Sequence, residues 1–192
     1  MEIEDIFSEL PILETDRLLL RKLQLDDKKD IFDYASDPLV CKYTTWSVHE
    51  SIEESKNFLI SVIKDYNNHQ IAPWGIVDRE DNKLIGTCGF VNWIVDDDRA
   101  EIGYALSRKY WGKGYMTEAV RAVIAFGFST MDLNRIEARC KIENIPSAKV
   151  MEKVGMKFEG ILREHLFVKG IYHDLKMYSI LRREWVELLI KS

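Results

Sequence analysis

Three extended segments follow one another at residues 71–77, 84–95 and 99–106, separated by polar stretches at 79–83 and 96–98. Connections that short cannot carry the chain back for parallel pairing, so the three segments form an antiparallel meander. After residue 106 the pattern changes. The loop Trp111-Gly112-Lys113-Gly114 leads into a helical repeat over residues 115–130, with Ala119, Val120, Val123, Ile124 and Phe128 turned inward. A meander that closes on a strand, a glycine loop and a helix restricts the chain to mixed α/β architectures with a largely antiparallel sheet.

The flanks extend this frame. Residues 12–23 nearly alternate, with Leu18, Leu20 and Leu23 among Arg17, Arg21 and Lys22, and read as a half-buried first strand. Asp26 and Asp27 open a short helix through residue 35 that stops at Asp37-Pro38. Ser47-Val48-His49-Glu50 has the spacing of a capping box, followed at helical intervals by Ile52, Phe58, Leu59, Val62, Ile63 and Tyr66. Beyond the central helix, residues 135–142 read as a strand and 147–154 as a helix ended by Gly155. Residues 158–168 and 172–181 read as a hairpin turned at Lys169-Gly170, and 183–190 as a short amphipathic helix. The expectation is one domain over residues 1–192, with 1–11 as an N-terminal extension.

At 46% hydrophobic and 31% charged residues, 192 positions suffice for one core. The first 14 residues are acidic and interrupted by Pro11, unlike an export signal, and no run is long and apolar enough for a membrane span. Cys41, Cys88 and Cys140 lie far apart without metal-ligand spacing, so they are expected as reduced core thiols in a cytoplasmic protein, with no metal. A net charge of −5 argues against a nucleic-acid partner and favours a cationic amine substrate.

Gly112-Lys113-Gly114 sits where free backbone N–H groups and the positive end of a helix create an anion site, with Arg108, Lys109 and Lys113 around the same turn. A pyrophosphate suits this chemistry. Neither the nucleoside-triphosphate loop spacing nor the dinucleotide G-x-G-x-x-G pattern is present, since Met116 and Thr117 occupy the final glycine region.

The run Ala100-Glu101-Ile102-Gly103-Tyr104-Ala105-Leu106 with Tyr110-Trp111-Gly112-Lys113-Gly114-Tyr115-Met116-Thr117-Glu118-Ala119 resembles the coenzyme-binding motif of the GNAT acetyltransferase superfamily. Asn144-Ile145-Pro146-Ser147, Glu152-Lys153-Val154-Gly155-Met156 and Glu159-Gly160 resemble a signature of its ribosomal-protein N-acetyltransferase (RimJ/RimL-like) branch, with Met156 in place of Phe. Thr15-Asp16-Arg17-Leu18 resembles the family's first strand, and His173-Asp174 lies in a segment like its final hairpin. The resemblance implies a mixed, mostly antiparallel, twisted sheet of about seven strands, split between strands 4 and 5, with helices on both faces. It implies acetyl-CoA as donor and coenzyme A as product. The pantetheine arm would lie in the split against the backbone of Ile102, Tyr104 and Leu106, near Asn144 and Ser147. The pyrophosphate would meet Arg108, Lys109, Trp111, Gly112, Lys113, Gly114, Tyr115, Met116 and Thr117.

An amine acceptor must lose a proton before attack, because a protein α-amine has a reference pKa of about 8 and lysine about 10.4. Glu101, at the start of the strand beside the expected thioester, is the candidate base, against a solvated pairing with Arg99 or another cation. The backbone N–H near Tyr104 is the candidate oxyanion donor. Ser147 is placed to protonate or hydrogen-bond the leaving thiolate, and as an alternative it caps the following helix. Some branch members carry an acidic residue in the penultimate strand, where this chain has Glu164, His165 and Leu166. His173 and Asp174 are expected to order the last hairpin. Trp46, Trp74, Trp93, Tyr43 and Phe90 are candidates for an acceptor slot or for the core. The expected activity is acetylation of a protein N-terminal amine, such as that of a ribosomal protein, by direct attack in a ternary complex. Two alternatives stay open: a small-molecule amine acetyltransferase (polyamine, amino acid or antibiotic) and a non-catalytic acyl-CoA-binding module. The oligomeric state, a dimer included, is not specified by the sequence.

Overall fold

The computed structural model describes residues 2–191; Met1 and Ser192, the ends of the expected domain, lie outside them. Eight strands, β1 (Leu13–Glu14), β2 (Leu18–Arg21), β3 (Trp74–Asp78), β4 (Lys83–Ile94), β5 (Arg99–Leu106), β6 (Arg135–Lys141), β7 (Lys157–Val168) and β8 (Ile171–Leu181), form one sheet ordered β1-β2-β3-β4-β5-β6-β8-β7. Every neighbouring pair is antiparallel except β5 with β6. The meander is as expected, with β5 matching residue for residue. The single first strand of residues 12–23 is instead two, β1 and β2, folded back on each other with Leu13 opposite Leu20. The bend at residues 15–17 is held by Thr15, whose hydroxyl accepts from the Leu18 N–H at 3.0 Å. With this extra strand, the split expected between strands 4 and 5 falls between β5 and β6.

The split has a simple origin. The parallel ladder between β5 and β6 runs only from Arg99 opposite Arg135 to Glu101 opposite Glu137, and then the two strands part. Residues 102–106 keep their partners on β4 but have none on the β6 side. An open edge of peptide groups is a ready template for another extended chain.

Helices cover the two halves unequally. In the meander half, α2 (Lys28–Ala35) and α4 (Ile52–Asn67) lie on one face and α5 (Tyr115–Ser129) on the other. Trp74, Phe90 and Phe126 meet edge-on between sheet and α5, with ring centres 5.3 and 6.4 Å from Trp74. Full burial of such side chains contributes about 1.5–3 kcal/mol each. In the other half, α5, α6 (Ile145–Lys153) and α7 (Arg182–Lys191) share one face, where Trp185 packs on Phe128. The opposite face of β6 carries Arg135, Glu137, Arg139 and Lys141, while Ile136, Ala138 and Cys140 point into the core.

One local expectation is corrected. The early helix begins at Ile52 behind Ser51, not at the Ser47 box, because the His49 N–H donates to the Ala35 carbonyl at 3.0 Å and keeps residues 47–50 extended along the end of α2. The segment expected as an N-terminal extension packs against the rest of the chain. It contains α1 (Ile3–Phe7), and Ile6, Phe7 and Leu10 are buried in the core. A further short helix, α3 (Pro38–Cys41), is capped by Asp37, whose carboxylate accepts from the Leu39 N–H at 2.9 Å. Cys41, Cys88 and Cys140 are buried free thiols. Among the described residues, no helix is long and apolar enough to cross a membrane.

Candidate active site

The loop from β5 to α5 begins with a short 3-10 turn, Arg108–Tyr110, and ends at Gly114. Gly112 and Gly114 have φ of +74° and +83°, a region that costs other residues about 1–2 kcal/mol. A Cβ at Gly112 would meet nothing within 4 Å, so the backbone there stands open to an approaching group. No side chain caps α5, and the first intrahelical bond is Glu118 N–H to the Gly114 carbonyl. The N–H groups of Tyr115, Met116 and Thr117 therefore have no acceptor within the helix and lie at its positive end. These residues fit a diphosphate.

Arg17 and Glu118 brace the loop, and sequence reasoning assigned neither a role. Glu118 accepts from the Thr15 hydroxyl at 2.6 Å, the Arg17 N–H at 2.9 Å and Arg17 Nε at 2.7 Å. Arg17 donates onward to the Lys113 carbonyl at 3.0 Å and lies over the Tyr115 ring. Burial pushes the Glu118 carboxyl up, but the hydrogen bonds from Thr15 and Arg17 outweigh it and leave the group below its ordinary value. The only signal in the sequence was the Thr15-Asp16-Arg17-Leu18 motif. Of the three cations expected around the turn, Arg108 is engaged by Asp37 at 2.6 Å. Lys109 and Lys113 make no ion pair among the described residues, and Lys113 Nζ lies 5.6 Å from the Tyr110 ring centre. Trp111 Nε1 donates to the Leu106 carbonyl at 2.8 Å, tying the loop to the strand end.

On the helix face of the split, β5 and α6 meet through hydroxyls. Tyr104 Oη is 2.9 Å from Ser147 Oγ and donates to the Ser147 carbonyl at 3.2 Å. Asn144 is the N-cap of α6, accepting from the Ser147 N–H at 3.3 Å, so Ser147 is not the cap and its hydroxyl is turned to Tyr104 instead. Cys140 neighbours Ser147, and burial pushes its thiol up to about 11. Burial likewise raises the Tyr104 hydroxyl. The group is uncharged at neutral pH and rich in O–H donors. Ile102 and Leu106 are buried on the same face.

On the opposite face, Glu101 is paired with Arg139 and not with Arg99. Arg139 Nε donates to Glu101 Oε1 at 2.8 Å, and a second guanidinium nitrogen meets Oε2. The hydrogen bond to Glu101 raises the Arg139 pKa against the opposing pull of burial. A remaining guanidinium nitrogen meets His165 Nε2. His165, Arg163, Glu164 and Asp174 line an open concavity of about 760 Å³ at the β7 bulge. Asp174 orders that bulge by accepting from the Glu164 N–H at 2.7 Å, while His173 lies 3.3 Å from Lys141 Nζ. Leu166 stands opposite His173. Trp74, Phe90 and Trp93 are core residues, and Trp46 packs on His49 with ring centres 5.7 Å apart.

Comparison with known proteins agrees with this geometry. The family described as acetyltransferase (GNAT) domain matches residues 17–157. An uncharacterized N-acetyltransferase, p20 of Bacillus licheniformis, is 40% identical over 90% of this chain and 97% of its own length. The crystal structure of a GNAT-family acetyltransferase from Bacillus anthracis superposes with a TM-score of 0.80 at 32% identity, covering 90% of this chain and 99% of that one. The fold is shared at 22% identity, with a TM-score of 0.76, by RimL, a ribosomal L7/L12 alpha-N-protein acetyltransferase in complex with coenzyme A, over 89% of this chain and 98% of that one. A strand that leaves its parallel neighbour, an uncapped helix behind a glycine turn and this span of likeness place the chain in the GNAT acetyltransferase family.

Proposed function

We propose that the chain moves an acetyl group from acetyl-CoA to the N-terminal amine of a protein, a ribosomal protein being the lead case, by direct attack within a ternary complex. The single observation that carries the reading is the open β5 edge facing the Tyr104–Ser147 hydroxyl pair, directly upstream of the uncapped start of α5. The β5 peptide groups of residues 102–106 pair with the amides of the pantetheine arm, and the N–H groups of residues 112–117 hold the diphosphate, the Trp111 N–H being taken by the Arg108 carbonyl. Acetyl-CoA supplies the activated acyl group; the protein supplies position and charge.

The acceptor arrives from the face opposite α5 and α6, which those helices leave uncovered. Glu101 receives the amine's proton through water, and Arg139 holds its carboxylate in place. The oxyanion is met by the backbone N–H near Tyr104. The departing sulfur meets Ser147 Oγ, itself oriented by Tyr104. RimL acts on a ribosomal protein's α-amine, which supports the choice of acceptor class.

The test is a panel. Labelled acetyl-CoA is offered with ribosomal proteins and with free polyamines, amino acids and aminoglycosides. Transfer to protein N-termini is the expected result. Rapid turnover of a small amine with none on protein would replace the acceptor, and tight coenzyme binding with no transfer would make the chain a binding module. In the same assay Glu101→Gln should lower kcat while leaving coenzyme affinity nearly unchanged; an unaltered rate across pH removes Glu101 from the mechanism.

A further inference from the structure

Lys141 ends β6 on the face that receives the acceptor, and its side chain is only 6% exposed. Among the described residues it forms no ion pair; its one hydrogen-bond partner is His173 Nε2 at 3.3 Å. A buried ammonium without a carboxylate is costly and uncommon. A second cation aggravates it. Lys169, at the tip of the β7–β8 hairpin, acts on Lys141 with like charge, while its own Nζ donates to the Cys41 carbonyl at 2.7 Å. That contact draws the hairpin tip onto the end of α3. Burial and Lys169 both lower the Lys141 pKa, and exposed Glu143 opposes them only weakly.

The position relative to the reacting centre is fixed by strand alternation. Cys140 faces Ser147 on the helix side, so Lys141, the next residue along β6, points to the other side. An amine approaching the thioester from the uncovered face passes this ammonium pair. Lys141 and Lys169 thus bring positive charge to this face of a chain whose net charge of −5 had favoured a cationic substrate.

Resting on the acetyltransferase reading above, we infer that Lys141, with Lys169 and His173 beside it, recognises a carboxylate of the acceptor, so that preferred N-termini carry Asp or Glu directly after the amine-bearing residue. The anion supplies the missing counter-charge, and charge-assisted hydrogen bonds from Lys141 orient the amine toward the acetyl group.

The test uses the intact protein loaded with coenzyme A and titrated calorimetrically with short peptides that differ only after the first residue, Asp-Glu against Asn-Gln. The acidic peptide should bind about tenfold more tightly. Lys141→Met should abolish the preference and Lys141→Arg restore most of it, with coenzyme affinity constant in all three proteins. Equal binding of the two peptides to the unsubstituted protein overturns the proposal without any variant needing to fold. So does a preference that survives Lys141→Met, or a loss of coenzyme affinity in that variant, which would give Lys141 to the coenzyme instead. A gain seen with free aspartate but not with the peptide assigns the carboxylate to a small-molecule acceptor and overturns the peptide assignment. Intact preference without acetyl transfer to any amine supports the anion site and removes the catalytic reading alone.

Discussion

The two faces of β6 differ sharply in charge. Toward α5 and α6 lie Ala138 and Cys140, with Tyr104 and Ser147 across the split, a neutral group whose protonation does not change near pH 7. On the other side lie Glu137, Arg139 and Lys141 with Glu101, His165 and His173, a dense array of charge on a face without a helix over it. Under the proposed function the donor of the acetyl group is always acetyl-CoA, and the neutral, packed side is the one assigned to it. Acceptors differ between enzymes, and charge on an open face is the economical place to encode the difference.

That contrast can be broken by substitution. The largest effect is expected from Arg139→Met, which strands the Glu101 carboxylate with its side chain 13% exposed. Because Arg139 is itself partly solvated, the loss is about 2–3 kcal/mol and not the full cost of a buried ion. Urea unfolding measures it, and adding Glu101→Gln to the same chain should recover most of the deficit. If the double variant is no better than the single one, the pair is not the organising contact of that face.

Gly114→Val comes next. Its φ of +83° suits glycine, and forcing a branched residue there should cost about 1–2 kcal/mol, read as about a tenfold weaker acetyl-CoA dissociation constant with acceptor preference unaltered. A shift in acceptor preference would mean that the two faces are not independent. On the neutral side, Tyr104→Phe removes one hydroxyl and should lower stability by about 1 kcal/mol in a thermal melt, the Ser147 hydroxyl remaining in place.

The smallest effect is on pH dependence. Arg135 donates to Glu159 at 2.8 Å and Ser179 Oγ does so at 2.7 Å, holding the Glu159 carboxyl at about 2 against an ordinary 4.5. A depressed carboxyl stabilises the fold above its unfolded value, and that contribution is lost as pH falls from 4.5 toward 2. With the side chain 40% exposed, the amount is under about 1 kcal/mol. Glu159→Gln should lower stability at neutral pH by that amount, leave it unchanged below about pH 2, and so flatten the acid limb of the curve.

What the sequence made legible was local. The meander, the glycine turn, the Lys169-Gly170 hairpin and the length of β5 all rest on residues a few positions apart, where periodicity and turn chemistry act directly. The cap of α4 was misplaced because Ser47 and Ser51 both precede helical residues, and the choice between them is made by a backbone bond from His49 to Ala35, 14 residues earlier. The break between β1 and β2 escaped notice for a related reason: Thr15 and Arg17 answer to Glu118, about a hundred residues away. Glu101 was singled out from its strand position, but its partner depends on the parallel register that brings Arg139 beside it across 38 residues of chain. Lys141 carried no signal at all, since its contact with His173 joins residues 32 positions apart.

The grip of Arg17 on the Lys113 carbonyl joins the chain's first strands to the β5–α5 loop, the proposed coenzyme site. Ligand free energy gained at that loop is therefore shared with a segment that does not touch the ligand. Amide exchange at residues 15–18 should slow on saturation with coenzyme A, and shortening Arg17 should uncouple that protection from binding itself.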